Sequence, residues 1–278
     1  MALHPLRSDR FADLLLNCAM RIDDLVAARL KKRYKRFLAD VVLDDGQEIT
    51  VHCPNPGSMK GCLEEGERVY LKDSRNPKRK LRYTWSLIDL DSSPVIVDTG
   101  FANKFVKAIV QEGLIKELDN YGTVLSEPPY GEGRFDLLLT NRKLDLEGNK
   151  KKSVGGPIRK AEAGDCFVEI KSTTLKEGST ALFPDAKTER GRKHLERLVL
   201  AKEEGIRAIQ FYLVNRQDTE SFEPARQIDP LYSEALFQSS KKEVEVLAYD
   251  IKVEVTESEE AGLYSASVAL GKRLPVRF

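Results

Sequence analysis

The sequence predicts a two-domain protein of mixed α and β structure, with a small β-barrel followed by an α/β domain. The length of 278 residues suits one large domain or two modest ones. Short strand-like segments separated by turns fill the first third, and helical periodicity joins the strands only after about Gly100. Hydrophobic residues make up 41% and charged residues 32%, as in a globular protein with a sizeable core.

The strand pattern places the barrel over residues 19–98, after an N-terminal extension of residues 1–18. A hairpin is indicated where the apolar run 34–43 meets the turn sequence Asp44-Asp45-Gly46 and resumes over 48–53. The remaining strand candidates are residues 68–72, 81–90 and 95–98. Five short strands in roughly 75 residues suit an OB-like β-barrel, although strand count alone leaves other small barrels open.

The second domain is expected over residues 99–278. A helix over residues 101–118 would place Phe101, Phe105 and Ile109 on one face. Strands and helices then mix, as in an α/β domain. The strands are expected at residues 124–125, 134–140, 167–171, 208–214 and 244–249, the helices at 188–204 and 231–239, and a long exposed loop at 144–164.

Composition excludes some classes of protein. The four cysteines form no Cys-x-x-Cys pair, which indicates reduced thiols in a cytoplasmic protein. No run approaches the roughly 20 apolar residues of a membrane helix, so we expect no membrane association. The net charge of +1 provides no global field for nucleic acid, so any nucleic-acid surface must come from local clusters.

Two strand-like segments carry the residues with chemical potential. Alternate side chains of a strand share a face, so Glu169 and Lys171 lie on one side while Val168 and Ile170 face a core. If Asp136 lies on the neighbouring strand, two carboxylates converge. Such oxygen ligands hold Mg²⁺ or Mn²⁺, which can activate water and stabilise charge on phosphorus, and Lys171 would neutralise a phosphate oxygen or orient the water.

The competing interpretation is a surface ion pair between Glu169 and Lys171, with Asp136 solvated. Glu-x-Lys spacing is common in charged proteins, and by itself it favours this structural interpretation.

Basic residues with interleaved aromatics indicate a nucleic-acid surface. Residues 29–36 contain six cations and Tyr34, and Phe37 follows them; this pattern suits a phosphate backbone, although a solvated edge with both rings in the barrel core is the alternative. A second cluster, residues 78–82, precedes Trp85. The candidate contacts are Lys32, Arg33, Lys35, Arg36, Arg79 and Lys80 in the barrel, and Arg190 and Lys193 in the second domain.

Three further polar residues are candidates for the neighbourhood of the acids. Arg190 and His194 are four residues apart and share a helical face; for His194 we favour packing or capping over catalysis. Glu127 is a candidate for the acidic cluster, and Asn103 for a polar contact near it.

Several motifs together resemble the sugar fermentation stimulation protein (SfsA) family. They lie in the same order as in that family, from about Arg33 to the C-terminus. The matching segments are residues 33–40, His52-Cys53-Pro54-Asn55, Gly57-Ser58-Met59, Phe183-Pro184-Asp185-Ala186, Thr188-Glu189-Arg190-Gly191 and Lys193-His194-Leu195.

The resemblance implies an OB-like N-terminal domain and a C-terminal domain similar to the PD-(D/E)XK, or restriction-endonuclease-like, nucleases. By position, Asp136 matches the first acid, and Glu169 and Lys171 match the second acid and the lysine. The family is described as prokaryotic and DNA-binding. The chain departs from the patterns at Phe135, where the nuclease motif has proline, and at Pro56, where threonine is expected.

The resulting hypothesis is a cytoplasmic DNA-binding protein with a phosphodiesterase site that uses Mg²⁺ or Mn²⁺. The alternative is a regulator of sugar metabolism genes that binds DNA without cutting it and retains a nuclease-like fold. RNA is a less favoured partner, since OB-folds accept single strands of either type. The sequence leaves the oligomeric state open, a homodimer included.

Overall fold

Five strands close the N-terminal barrel. They are β1 (Cys18–Tyr34), β2 (Leu38–Leu43), β3 (Glu48–His52), β4 (Arg68–Asp73) and β5 (Tyr83–Leu90). Their hydrogen-bonded order is β1-β2-β3-β5-β4, and β4 returns to pair with β1. Trp85, Leu71 and Val41 are fully buried at the centre of this barrel. The OB-like barrel predicted from the strand pattern is confirmed.

The structure, a computed structural model, describes residues 18–142, 161–260 and 262–278. Most of the predicted N-terminal extension and residues 144–160 of the predicted loop lie outside these ranges. Cys18, assigned to the extension, is the first residue of β1. Among the described helices, none has the length and apolar character needed to cross a membrane.

The second domain is a mixed sheet with helices on both faces. Its elements are α1 (Thr99–Gln111), β7 (Thr123–Ser126), β8 (Pro129–Tyr130), β9 (Gly133–Arg134), β10 (Leu137–Thr140), β11 (Cys166–Thr173), β12 (Lys176–Glu177), β13 (Thr180–Phe183), α2 (Glu189–Glu203), β14 (Arg207–Val214), β15 (Ser221–Pro224), α3 (Pro230–Lys241), β16 (Glu245–Glu257) and β17 (Leu263–Arg273). Before them, β6 (Ser93–Ile96) pairs with β5 and belongs to the barrel. The main sheet runs β17-β16-β14-β11-β10-β7, with β11, β14 and β16 parallel. The predicted α/β domain is confirmed.

The long strand β1 joins the two domains. Its first part, from Cys18 to Val26, pairs with β17 of the second domain. From Leu25 onward it pairs with β4, and from Ala28 with β2. Hydrogen bonding is therefore continuous from the barrel into the sheet that carries Glu169, and the two domains share one strand rather than only a linker.

Alternating side chains give the second domain two apolar layers. Val168 and Ile170 of β11 face a cluster built on α1, including Phe105. Phe167, on the other face of β11, packs in a cluster with Leu195 of α2 and further residues of α3. Glu169 and Lys171 share the Phe167 face, so the strand presents them toward α2.

One predicted helix was too long. The helix expected over residues 101–118 ends at Gln111, because Gly113 turns the chain with a φ of 68°. A separate 3-10 turn follows at Lys116–Leu118. The buried face predicted for this helix, Phe101, Phe105 and Ile109, is confirmed.

Candidate active site

The two carboxylates of the predicted site face each other across neighbouring strands. β10 and β11 are antiparallel, with Leu137 opposite Val168 and Leu138 opposite Phe167. Continuing this register by one residue places Asp136, directly before β10, opposite Glu169. The two acids therefore lie on the same side of the sheet, as the nuclease hypothesis requires.

Backbone and amide donors hold the Asp136 carboxylate. Oδ2 accepts a hydrogen bond from the Ile170 backbone N–H at 2.7 Å, and Oδ1 accepts from Asn103 Nδ2 of α1 at 2.8 Å. Burial and the nearby charge of Glu169 nevertheless raise the pKa of Asp136 above its ordinary value. The acid pair thus concentrates negative charge in a partly buried place. Asn103, a candidate neighbour from sequence, is in direct contact with the site.

Two cationic or polar side chains meet at the Glu169 carboxylate. Lys171 Nζ donates to Glu169 Oε1 at 2.6 Å, and His194 Nδ1 contacts the same oxygen. Burial of Glu169 acts to raise its pKa, but the hydrogen bond from His194 and the charge of Lys171 outweigh burial, so the pKa lies below its ordinary value. Glu169 is therefore held as a carboxylate although it is only 2% exposed.

His194 contacts three charged side chains of the site. Nδ1 lies against Glu169 Oε1 and 3.2 Å from Lys171 Nζ, while Nε2 accepts from Arg190 Nε at 3.3 Å. Thr188 is the N-cap of α2, so the capping interpretation of His194 was wrong. Its position against Glu169 and Lys171 instead makes His194 part of the site.

Local sequence explains why α2 lies so close to the acids. The Thr188 side chain accepts from the Gly191 backbone N–H at 3.0 Å and begins the helix. A side chain at Gly191 would collide with Tyr232 of α3 and with Thr188, so only glycine permits this packing. Arg190 and His194 then face the sheet edge, as their spacing predicted.

A cavity of about 430 Å³ lies over the acid pair. One wall comes from the β8–β9 hairpin region and the other from α2, with Asp136 and Glu169 between them. The lining residues are Glu127, Gly133, Arg134, Phe135, Asp136, Glu169, Arg190, His194 and Arg197. Glu127 is exposed and its carboxylate pairs with Arg134 at 3.4 Å, so it lies at the cavity rim. Sequence analysis missed Arg197 and Arg134.

Outside this cavity, the predicted nucleic-acid contacts divide into two groups. Arg33 donates to the backbone carbonyls of Asn55 at 2.7 Å and Gly57 at 2.8 Å, and so braces a loop. Lys35 and Arg36 are exposed at the turn after β1, with no side-chain partner in the described ranges.

The other predicted cations have weak or exposed partners. Lys32 is 3.7 Å from Asp40, and Arg79 donates to Thr84 at 3.2 Å. Lys193 pairs with Glu189 on the surface of α2. Lys80 is exposed, and Phe37, exposed by 48%, is not in the barrel core.

Comparison with known proteins places this architecture in a family. Residues 32–97 match the SfsA N-terminal OB domain, and residues 100–257 match the sugar fermentation stimulation protein RE domain. The chain belongs to the sugar fermentation stimulation protein family. The resemblance found in the sequence motifs is confirmed.

Family relatives match over almost the whole chain. The sugar fermentation stimulation protein homolog of Pelobacter propionicus is 42% identical over 258 residues, which is 92% of this chain and 99% of the relative. The homolog of Geobacter sulfurreducens is 43% identical over 253 residues, 91% of this chain and 96% of the relative. The solved structure of Pyrococcus furiosus SfsA in complex with Ca²⁺ has the same fold, with a TM-score of 0.76 and 23% identity over 94% of this chain and 99% of the other.

Proposed function

We propose that this member of the SfsA family is a metal-dependent nuclease that acts on DNA. The observation that carries the proposal is the pairing of Asp136 and Glu169 across two antiparallel strands inside one cavity, with Lys171 on Glu169. This combination of two converging acids and one ammonium suits hydrolysis of a phosphodiester bond.

The acid pair fits a hard divalent cation such as Mg²⁺ or Mn²⁺. The pKa of Asp136 is raised by burial and by Glu169, which is the electrostatic condition that a bound cation relieves. Two carboxylates alone would leave the remaining coordination positions of Mg²⁺ to waters and a phosphate oxygen. Within the described residues no group of three or more His, Cys, Asp or Glu side chains is placed to hold a metal ion. The Ca²⁺ in the Pyrococcus furiosus structure supports the same choice of ligand chemistry.

When bound, the cation would supply Lewis-acid stabilisation of the charge that develops on the phosphoryl oxygens. Three side chains of the protein would have the remaining roles. Lys171 would place a positive charge beside the reacting phosphate and hold the attacking water. His194 would fix the orientation of the Glu169 carboxylate through Nδ1, and Arg190 would fix that of the imidazole through Nε2.

The alternative function, DNA binding without cleavage, rests on the exposed basic residues of the barrel. Lys35 and Arg36 are available to phosphates without breaking any contact in the described residues. A non-cleaving regulator of sugar metabolism genes would need this surface and no reaction at the acid pair.

Glu169→Ala and the milder Glu169→Gln separate the two functions. If the site cleaves, both variants should lose metal-dependent cleavage of labelled DNA, since both remove an anionic ligand. Binding measured in EDTA should hold or tighten slightly, because a negative charge near the phosphates has gone. The assay pairs gel analysis of cleavage with fluorescence anisotropy of the same oligonucleotide, single- and double-stranded.

The matched control is Glu196→Ala, which removes an exposed acid of α2 that does not line the cavity. It should cleave as the unchanged protein does. Equal absence of cleavage in all proteins with Mg²⁺ and Mn²⁺ would support the binding-only alternative. Cleavage that survives in a folded Glu169→Gln would place the hydrolytic site elsewhere.

A further inference from the structure

The cavity has two different ends along helix α2. Arg190, His194 and Arg197 lie on one face of the helix, so His194 is about 6 Å beyond Arg190 and Arg197 about 4.5 Å beyond His194. His194 contacts Glu169, which puts the acid pair between the two arginines. Arg190 is exposed, so its end of the cavity lies at the protein surface.

Arg197 closes the opposite end by reaching the β8–β9 hairpin. Its guanidinium carbon lies 5.5 Å from the centroid of the Phe135 ring. A Cβ at Gly133 would overlap the Arg197 guanidinium, so the glycine is what allows the side chain to lie against the hairpin backbone. The helix and the hairpin therefore meet at Arg197.

The Arg197 guanidinium has no ionic partner in the described part of the chain. It makes the contact with Phe135 and borders the cavity, but no described carboxylate pairs with it. An arginine held against the hairpin without an ionic partner is available to an anion, and its planar fork suits the oxygens of a phosphate.

We propose that the Arg197 end of the cavity binds the terminal phosphate of a DNA strand, so that the site acts on phosphorylated strand ends. The inference rests on the proposed function, because it takes DNA as the ligand. A strand that enters past Arg190 meets the acids and then Arg197, where the helix contacts the hairpin. A terminal monoester carries about −1.5 to −2 charges at pH 7 and three free oxygens, which suits this end of the cavity better than an internal diester.

The test measures binding separately from cleavage. One single-stranded oligonucleotide with an internal fluorophore is prepared with a 5′-phosphate, with a 3′-phosphate and with hydroxyls at both ends. Anisotropy titrations in EDTA and in Ca²⁺ give the three affinities. The protein should prefer one phosphorylated end by about tenfold to a hundredfold, the usual range for a hydrogen-bonded charge. The end that is preferred identifies the polarity.

Two variants test the role of Arg197. Arg197→Gln should abolish the preference, so that the phosphorylated and hydroxyl oligonucleotides bind with equal affinity. Gly133→Ala should have the same effect with the arginine still present, because the added methyl displaces it. Lys202→Gln removes a charge from the same helix outside the cavity and should keep the preference.

Equal affinity for the three oligonucleotides, or a preference that survives in Arg197→Gln, would overturn the inference. A preference that depends on Arg197 in a protein that cleaves nothing would overturn only the proposed nuclease function. If no oligonucleotide binds, inorganic phosphate should still raise the melting temperature of the unchanged protein and not of Arg197→Gln; an identical response would overturn the inference too.

Discussion

At the scale of single residues, the acid pair has opposite pKa shifts with opposite consequences for stability. The pKa of Asp136 is raised from 3.8 by burial and by Glu169, so its favourable contribution is complete below that value and is lost as pH rises through the folded pKa. Glu169 has a lowered pKa, so its contribution is present above 4.5 and is lost as pH falls through the folded pKa. Ionising Asp136 beside Glu169 therefore costs free energy, which a bound cation would offset.

Asp136→Asn tests this repulsion. The neutral amide keeps an acceptor for the Ile170 N–H, and the Asn103 amide can turn to accept from it. In EDTA at pH 7 the variant should melt at the same temperature as the unchanged protein or a higher one. Mg²⁺ should raise the melting temperature of the unchanged protein and not that of the variant, since a ligand stabilises only a state that binds it.

Glu260→Gln is the control, because it neutralises an exposed acid far from the site in the sequence. Differential scanning fluorimetry with and without Mg²⁺ compares the three proteins. An equal Mg²⁺ response in Asp136→Asn would exclude Asp136 from the proposed metal site.

The convergence of Asp136 and Glu169 could be predicted from sequence, but the position of Arg197 could not. Strand alternation puts Glu169 and Lys171 on one face from local pattern alone. The position of Arg197 depends on Gly133, which is distant in sequence and comes close only through the hairpin. His194 was assigned a packing or capping role because its partner, Glu169, lies on a strand whose placement under α2 is a tertiary fact.

At the scale of elements, two loops from different domains are bound to each other. Asp185, after β13, accepts hydrogen bonds from the Met59 backbone N–H at 3.0 Å and the Ser58 hydroxyl at 3.3 Å. Gly57 lies directly against the same carboxylate. Arg33 braces this loop from the barrel side, so the two sequence motifs around Gly57 and Asp185 form one interdomain contact.

Gly57→Ala should break this contact. The added Cβ would overlap the Asp185 carboxylate and displace it from both donors. Loss of hydrogen bonds to a charged group predicts a fall of about 1.5–3 kcal/mol in the free energy of unfolding. Equilibrium urea denaturation measures it.

Ser58→Ala is the graded comparison, because it removes one of the two donors and should cost less than Gly57→Ala. A Gly57→Ala protein within about 0.5 kcal/mol of the unchanged protein, the usual range for an ordinary surface substitution, would show that the loops are not coupled in this way.

There is also a physical reason why sequence analysis missed most of β1 and the whole of β17. β1 was not predicted before Tyr34 because its period of two is interrupted: Asp24 has a φ of 57° and the pairing with β17 shifts register twice. β17 pairs with β1, and pairing between the first and last strands of the described residues leaves no local sequence signal. The hairpin of β2 and β3 has such a signal in its turn sequence, and it was predicted.

At the scale of the whole molecule, β1 connects the basic turn of the barrel to the sheet that carries the acids. The strand ends at Tyr34, and Lys35 and Arg36 follow it in left-handed backbone conformations that expose their side chains. Because the strand also pairs with β17, the basic turn is attached to the second domain through a continuous hydrogen-bonded ladder. A DNA strand held at the turn would thus be held in a fixed relation to the second domain.

Salt dependence of DNA binding measures how much this basic turn contributes. Replacing Lys32, Lys35 and Arg36 together with alanine should weaken binding and flatten the plot of log affinity against log salt. Each phosphate neutralised on duplex DNA contributes about −0.9 to that slope, so loss of three contacts would reduce its magnitude by about 2.7. Arg33 is left unchanged, because its guanidinium braces the loop around Gly57 and its loss would alter the fold as well as the charge.

A second triple variant separates the contribution of the basic turn from the effect of overall charge on the salt slope. Replacing Lys116, Lys241 and Lys252 with alanine removes the same charge from exposed positions away from the turn. With a net charge of only +1, either triple variant gives −2, so a change due to overall charge alone would appear equally in both. A flatter slope only in the Lys32, Lys35 and Arg36 variant would assign those phosphate contacts to the basic turn. An unchanged slope in that folded variant would place the DNA-binding surface elsewhere on the molecule.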